Sequence, residues 1–190
     1  MPLSYTTKPN GSGYIQVQFY DGSETAKTIE VKYFGELPEL KEPQVKAEVK
    51  EFKDRGAIQG FEYGEDSVDI PEVTFEVDVV DDQVSSNNYE LKKWFQEFKD
   101  AAGSSLVSTN SGTVSIRKSD KSLTTISIPS DINMLGMIVL FGHSDGTKKF
   151  GLDFPQVEII SSSFKSGDGR GKFSFTVKVW SAANDTLALK

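Results

Sequence analysis

Few residues of this chain have types and spacing suited to covalent chemistry. The run Gly167-Asp168-Gly169-Arg170-Gly171-Lys172 has the glycines and lysine of a phosphate cradle. A P-loop needs one more residue before its lysine, and a helix after it whose first N–H groups meet the phosphate. Here Lys172 leads into Phe173 and an alternating run, so the segment reads as a hairpin turn. Gly142-His143-Ser144-Asp145-Gly146 sets Ser, His and Asp side by side. A catalytic triad needs these groups convergent in space, not consecutive in a turn. His143 is the sole histidine and cysteine is absent. That composition excludes multi-histidine metal centres, thiolate zinc, iron–sulfur clusters, disulfides and cysteine nucleophiles.

Carboxylates are the one abundant reactive type. Between Arg55 and Lys92 there is no Lys or Arg, and ten acids: Glu62, Glu65, Asp66, Asp69, Glu72, Glu76, Asp78, Asp81, Asp82 and Glu90. No run matches the spaced ligand loop of a calcium site. A glycosidase pair needs two acids on opposite sides of one bond, and spacing in sequence singles out no such pair. The residues therefore predict no enzyme, no metal and no cofactor.

The elements that position these groups are mostly strands. Ile15, Val17 and Phe19 alternate with polar residues in Tyr14–Tyr20, Asp21-Gly22 follows, and Ile29, Val31 and Tyr33 alternate in Thr28–Phe34. This reads as a hairpin. Further pairs are Thr113–Arg117 with Leu123–Ile128, Gly136–Phe141 with Lys149–Phe154, and Gln156–Phe164 with Lys172–Trp180. In Val73–Val79 the Val and Phe residues face one way, and Thr74, Glu76 and Asp78 the other, which must look onto water. One stretch has helical spacing: Leu91, Trp94, Phe95 and Phe98 form a stripe between Asn88 and Gly103 that would cover a sheet face. Residues 35–71, broken by Pro38, Pro43 and Pro71, read as a long loop or arm, with a strand at Gln44–Phe52. The fold class is mainly β: a β-sandwich or barrel of antiparallel strands with one flanking α-helix at about 88–102.

Globally, 190 residues with 37% hydrophobic and 26% charged residues predict one folded domain, 1–190. The net charge of −7 is the wrong sign for a general nucleic-acid or anionic-membrane binder. Residues 36–100 carry −10 and the remainder +3, a segregation that would let copies attract one another. Met1-Pro2-Leu3-Ser4-Tyr5 has no signal-peptide character. The apolar stretch Ile132–Phe141 is interrupted and far shorter than the roughly 20 residues of a membrane span. A soluble, cytoplasmically made protein is expected.

The element order, with the strand-to-helix passage Thr74–Phe98 and the strands around Phe154–Ile159 and Phe173–Val177, resembles the tail tube (major tail) proteins of tailed bacteriophages. The likeness covers the whole chain in outline. It implies a structural virion protein, assembled in the host cytoplasm into stacked, usually hexameric rings. Strands of neighbouring subunits would join into an inner barrel through which DNA is ejected without specific binding. The implied partners are further copies, a tape measure protein, a tail terminator and baseplate proteins. On that pattern Glu76 and Asp78 would face the lumen, and Leu91, Trp94, Phe95 and Phe98 would form the helix–sheet core. Arg55, Ile58, Phe61 and Tyr63 would belong to an inter-ring loop. The alternatives are a monomeric β-sandwich module binding carbohydrate or protein, and another tail ring protein such as a terminator or baseplate component.

Overall fold

Alternation places one face of the principal strands in a core and the other in water, and the chain folds accordingly. A computed structural model describes residues 14–25, 28–33, 38–46, 49–54, 57–63, 67–79, 106–142, 149–167 and 170–186. The strands are β1 (Tyr14–Tyr20), β2 (Thr28–Tyr33), β3 (Gln44–Lys46), β4 (Val49–Asp54), β5 (Ala57–Tyr63), β6 (Ser67–Asp69) and β7 (Glu72–Val79). They continue with β8 (Thr113–Lys118), β9 (Leu123–Ser127), β10 (Leu135–Gly142), β11 (Lys149–Gly167), β12 (Arg170–Val179) and β13 (Asn184–Thr186). The larger sheet runs β2-β1-β10-β11-β12-β7, with β13 beside β11. The second runs β6-β3-β8-β9, and among the described residues β4 and β5 pair only with each other. The architecture is mainly β and sandwich-like. The flanking helix expected at 88–102 falls outside the described residues, and none of the described residues is helical.

The larger sheet curls onto its own apolar face. Phe19 on β1 and Phe175 on β12 are three strand positions apart, about 14 Å across a flat sheet. Their ring centroids are 5.7 Å apart and meet edge-on. Phe75 on β7 stacks on Phe175 at 5.1 Å. Val17, Val73, Met137, Val139, Phe154, Val157, Phe173 and Val177 complete this core. Each buried Phe contributes about 1.5–3 kcal/mol of apolar transfer, so this face dominates the fold. A second core, Val45, Val114, Ile116, Ile128 and Met134, lies under the smaller sheet.

The chain crosses between the sheets at residues 179–183. Val179 N–H donates to Pro71 O (2.9 Å), Trp180 N–H to Gln156 O (3.1 Å) and Ala182 N–H to Ser115 O (2.7 Å). Gln156 is buried and its Nε2 donates to Thr113 O at 2.9 Å. Strand β3 reaches β8 only at Arg117 and Lys118. Ala182 of the crossing and Gln156 of β11 thus satisfy β8 carbonyls that β3 leaves open, as burial requires.

Two expectations need correction. The stretch 35–71 is not an irregular loop: it contains β3, β4, β5 and β6, and the single strand read at Gln44–Phe52 is two. Likewise β11 is continuous through Pro155, where two separate strands were expected. Pro155 has no N–H to donate. It sits where the β10 ladder shifts register, between Met137↔Phe154 and Leu135↔Val157, and between the β13 and β12 ladders. A proline is tolerated in a sheet at such a bulge.

Candidate assembly surfaces

The first surface is the arm. Its base is the antiparallel pair β3–β6: Gln44↔Asp69, Val45↔Val68 and Lys46↔Ser67. The next ladder, β4–β5, begins at Val49↔Tyr63. From one ladder to the next the chain advances three residues on one side and four on the other, so a single extra residue separates them. Two antiparallel ladders, β3–β6 and β4–β5, thus follow one another within Gln44–Asp69. At its base Lys46 Nζ lies 2.5 Å from Asp69 Oδ2, with both side chains exposed. The hydrogen bond from Lys46, then its charge, holds the Asp69 carboxyl below its ordinary range. Ile58, Phe61 and Tyr63 all lie on β5, with register partners Lys53, Glu51 and Val49. Arg55 lies outside the described residues, as do Leu91, Trp94, Phe95 and Phe98.

The second surface is the outward face of β11, β12 and β7. Ladder registers set Glu158–Lys178–Glu72, Ser161–Thr176–Thr74 and Ser163–Ser174–Glu76 in rows across the three strands. The opposite face of β12 and β7 is buried through Val73, Phe75, Phe173, Phe175 and Val177. Thr74 and Thr176 share a hydroxyl–hydroxyl bond at 2.9 Å. Glu76 is exposed, and Lys172 Nζ stands 3.8 Å from its carboxylate. Asp78 is the register partner of Lys172. The polar face that β7 presents as acidic in sequence is thus joined to a strand carrying Lys172 and Lys178. One end of the patch is the alternating row Glu158–Lys178–Glu72, the other joins Lys165 and Lys172 to the Asp78 position beside Glu76, and hydroxyl rows lie between them. Sequence alternation shows both strands' polar faces; it does not show that β7 and β12 are neighbours.

Both edges of this three-strand ribbon are open among the described strands. β7 pairs only with β12. The β10 ladder on β11 stops at Val157, and Ile160–Lys165 beyond it are all exposed, Phe164 at 55%. Such edges offer unpaired backbone groups to another chain. Among the described residues no group of three or more His, Asp or Glu could hold a metal ion. The arrangement equips the chain for backbone and side-chain association along edges and faces.

No protein-family model matches this sequence, and no curated protein matches it. By structure the chain is similar to a chain of the anti-feeding prophage baseplate, solved by cryo-EM and 6-fold symmetrised. The TM-score is 0.50 and the identity 8%, over 95% of this chain and 97% of that one. It is also similar to a chain of the anti-feeding prophage cap, the tube terminating cap. There the TM-score is 0.44 and the identity 9%, over 99% of this chain and 95% of the other. At 8% identity the likeness to the baseplate chain is one of fold alone.

Proposed function

We propose that this chain is a structural, non-catalytic subunit of a phage-like tail particle that self-associates into rings. The observation that carries this reading is the β11–β12–β7 ribbon: an exposed polar face, a buried apolar one and two edges left unpaired among the described strands. A monomer gains nothing from leaving such edges unpaired, whereas pairing them around a ring satisfies their backbone groups. Joining the β11 edge of one copy to the β7 edge of the next, with the rows in line, would bring Lys165 level with the Asp78 position and next to Glu76, a favourable charge pairing. The polar face then lines a channel with hydroxyls and charges of both signs, a wall that offers DNA phosphates little net attraction. The arm would reach a neighbouring copy or ring.

Within this reading, a tail tube ring through which DNA passes is the finer form. A baseplate component is the second form, favoured by the fold it shares with a baseplate chain. Tape measure, terminator or baseplate proteins would be the partners, and the assembled particle the location. Sedimentation velocity of the purified chain over a wide concentration range tests the general claim. Concentration-dependent ring-sized species are expected. A compact monomer at every concentration and salt, together with saturable binding of a glycan or peptide, would favour a monomeric binding module instead.

A further inference from the structure

The segment leading into the arm touches both cores and the crossing between the sheets within a few residues. Leu40 packs against the first core, and Val45 is buried in the second. Between them stands Glu42, its side chain 27% exposed. Glu42 Oε2 accepts from Arg117 Nε at 2.6 Å, on β8. Its other oxygen, Oε1, accepts from the backbone N–H of Ala183 at 3.2 Å. Ala183 ends the sheet-to-sheet crossing and precedes β13, which pairs with β11. Arg117 also pairs with the start of the arm through the Gln44↔Arg117 register, and its Nη1 donates to Lys121 O at 3.2 Å.

We infer that Glu42 is a positioning residue that ties the base of the arm to the crossing at 179–183, so that the two open and close as one unit. The physical requirement is specific. One carboxylate must accept two hydrogen bonds at once, from a guanidinium and from a main-chain amide, and ionised oxygens make such bonds stronger than neutral ones. Glutamine at this position presents an NH2 group to one of two donors, so one contact becomes a donor–donor clash. Aspartate keeps the charge and is one methylene shorter, so it cannot span both partners. Local opening in proteins proceeds in contiguous cooperative units. Here the unit would join the arm base (44–46 and 67–69) to residues 183–186, more than a hundred positions away in sequence. If the arm docks on a neighbour, as proposed above, docking would then also order the crossing. The coupling itself is a property of the single subunit and does not depend on that reading.

Native-state hydrogen exchange on the full-length chain at a concentration where it is monomeric tests this without assembly. In Glu42→Gln and Glu42→Asp, the amides of 44–46, 67–69 and 183–186 should all exchange at least about tenfold faster, in step, as expected for loss of a charge-assisted bond. Amides of β10 and β12 should keep their parental rates. Acceleration at only one of the two sites, or at neither, would overturn the coupling. So would global unfolding of both variants, since Glu42 would then support the whole domain rather than link two parts. A chain that shows the joint acceleration yet never forms rings would leave the coupling standing and remove the assembly reading.

Discussion

Tyr20 shows how one small residue sets the outer face of the larger sheet. It pairs with Gly136 across β1 and β10, and its ring lies where a side chain at 136 would be. A Cβ on Gly136 would stand 1.9 Å from Tyr20 Cζ. With the glycine in place the ring crosses β10, and its hydroxyl donates to Asp153 Oδ1 on β11 at 2.9 Å. Gly136→Ala should displace the ring and cost about 1–3 kcal/mol in urea denaturation. Tyr20→Ala in the same background should recover part of that loss, because the clash partner is gone. A fully stable Gly136→Ala variant would contradict this packing. Burial holds the Asp153 carboxyl above its ordinary 3.8, with the Tyr20 hydrogen bond acting in the opposite direction. Burial, then the Asp153 contact, likewise raises the Tyr20 phenol. The folded state thus binds the Asp153 proton more tightly than the unfolded chain. That contribution to stability is complete below the unfolded pKa and is lost as pH rises through the folded one. Asp153→Asn keeps an acceptor for Tyr20 and cannot ionise. Its stability relative to the parent should therefore improve as pH rises from 3.8 and then level off. A pH-independent difference would refute the assignment. None of this contact is legible in sequence, because it joins residues on three strands. Gly22 has a similar lesson: the turn dipeptide Asp21-Gly22 suggests positive φ, yet its glycine is needed for space. A Cβ there would meet Ser108 O at 2.7 Å, where Gly22 N–H donates to Val107 O.

At the scale of elements, the arm makes the sharpest prediction. Its outer strands β4 and β5 pair only with each other, and an isolated two-stranded hairpin is marginal in water. Replacing residues 49–63 with a short Asn-Gly turn should leave the β3–β6 base and both cores intact, so the urea midpoint should stay near that of the parent. Ring stacking should be lost. Unfolding of the shortened chain would make the arm part of the core, and normal assembly would make it dispensable. Sequence reading located this segment and missed its form. Pro38, Pro43 and Pro71 marked its limits. Inside it, the mixed charged residues of Val49–Asp54 and the glycine in Ala57–Tyr63 blurred the period-2 signal that a half-buried strand shows. The core strands were legible for the converse reason. Phe173, Phe175, Val177 and Val179 alternate without interruption, and the pairs β1–β2, β8–β9, β10–β11 and β11–β12 are each neighbours in sequence. The adjacency of β1 to β10 and of β7 to β12 depends on long-range closure and left no local mark.

For the whole molecule, electrostatics and symmetry act together. On the outer face of β7 and β12, Glu76 stands beside Lys172, and repetition around a ring would multiply any imbalance in that pairing. Changing Glu76 and Asp78 together to Lys should leave rings able to form while making the proposed channel wall basic. DNA should then be retained by assembled particles in a strongly salt-dependent way. Unchanged DNA behaviour with intact rings would mean that this face does not line the channel. The central claim is that the chain builds rings through its open sheet edges, and cryo-electron microscopy of the concentrated, purified protein examines it most directly. The expected images are closed rings or short stacks around a central channel, with β11 of one copy beside β7 of the next and the Thr74–Thr176 face toward the opening. Only dispersed monomers, or rings in which both of these edges remain open to solvent, would contradict it.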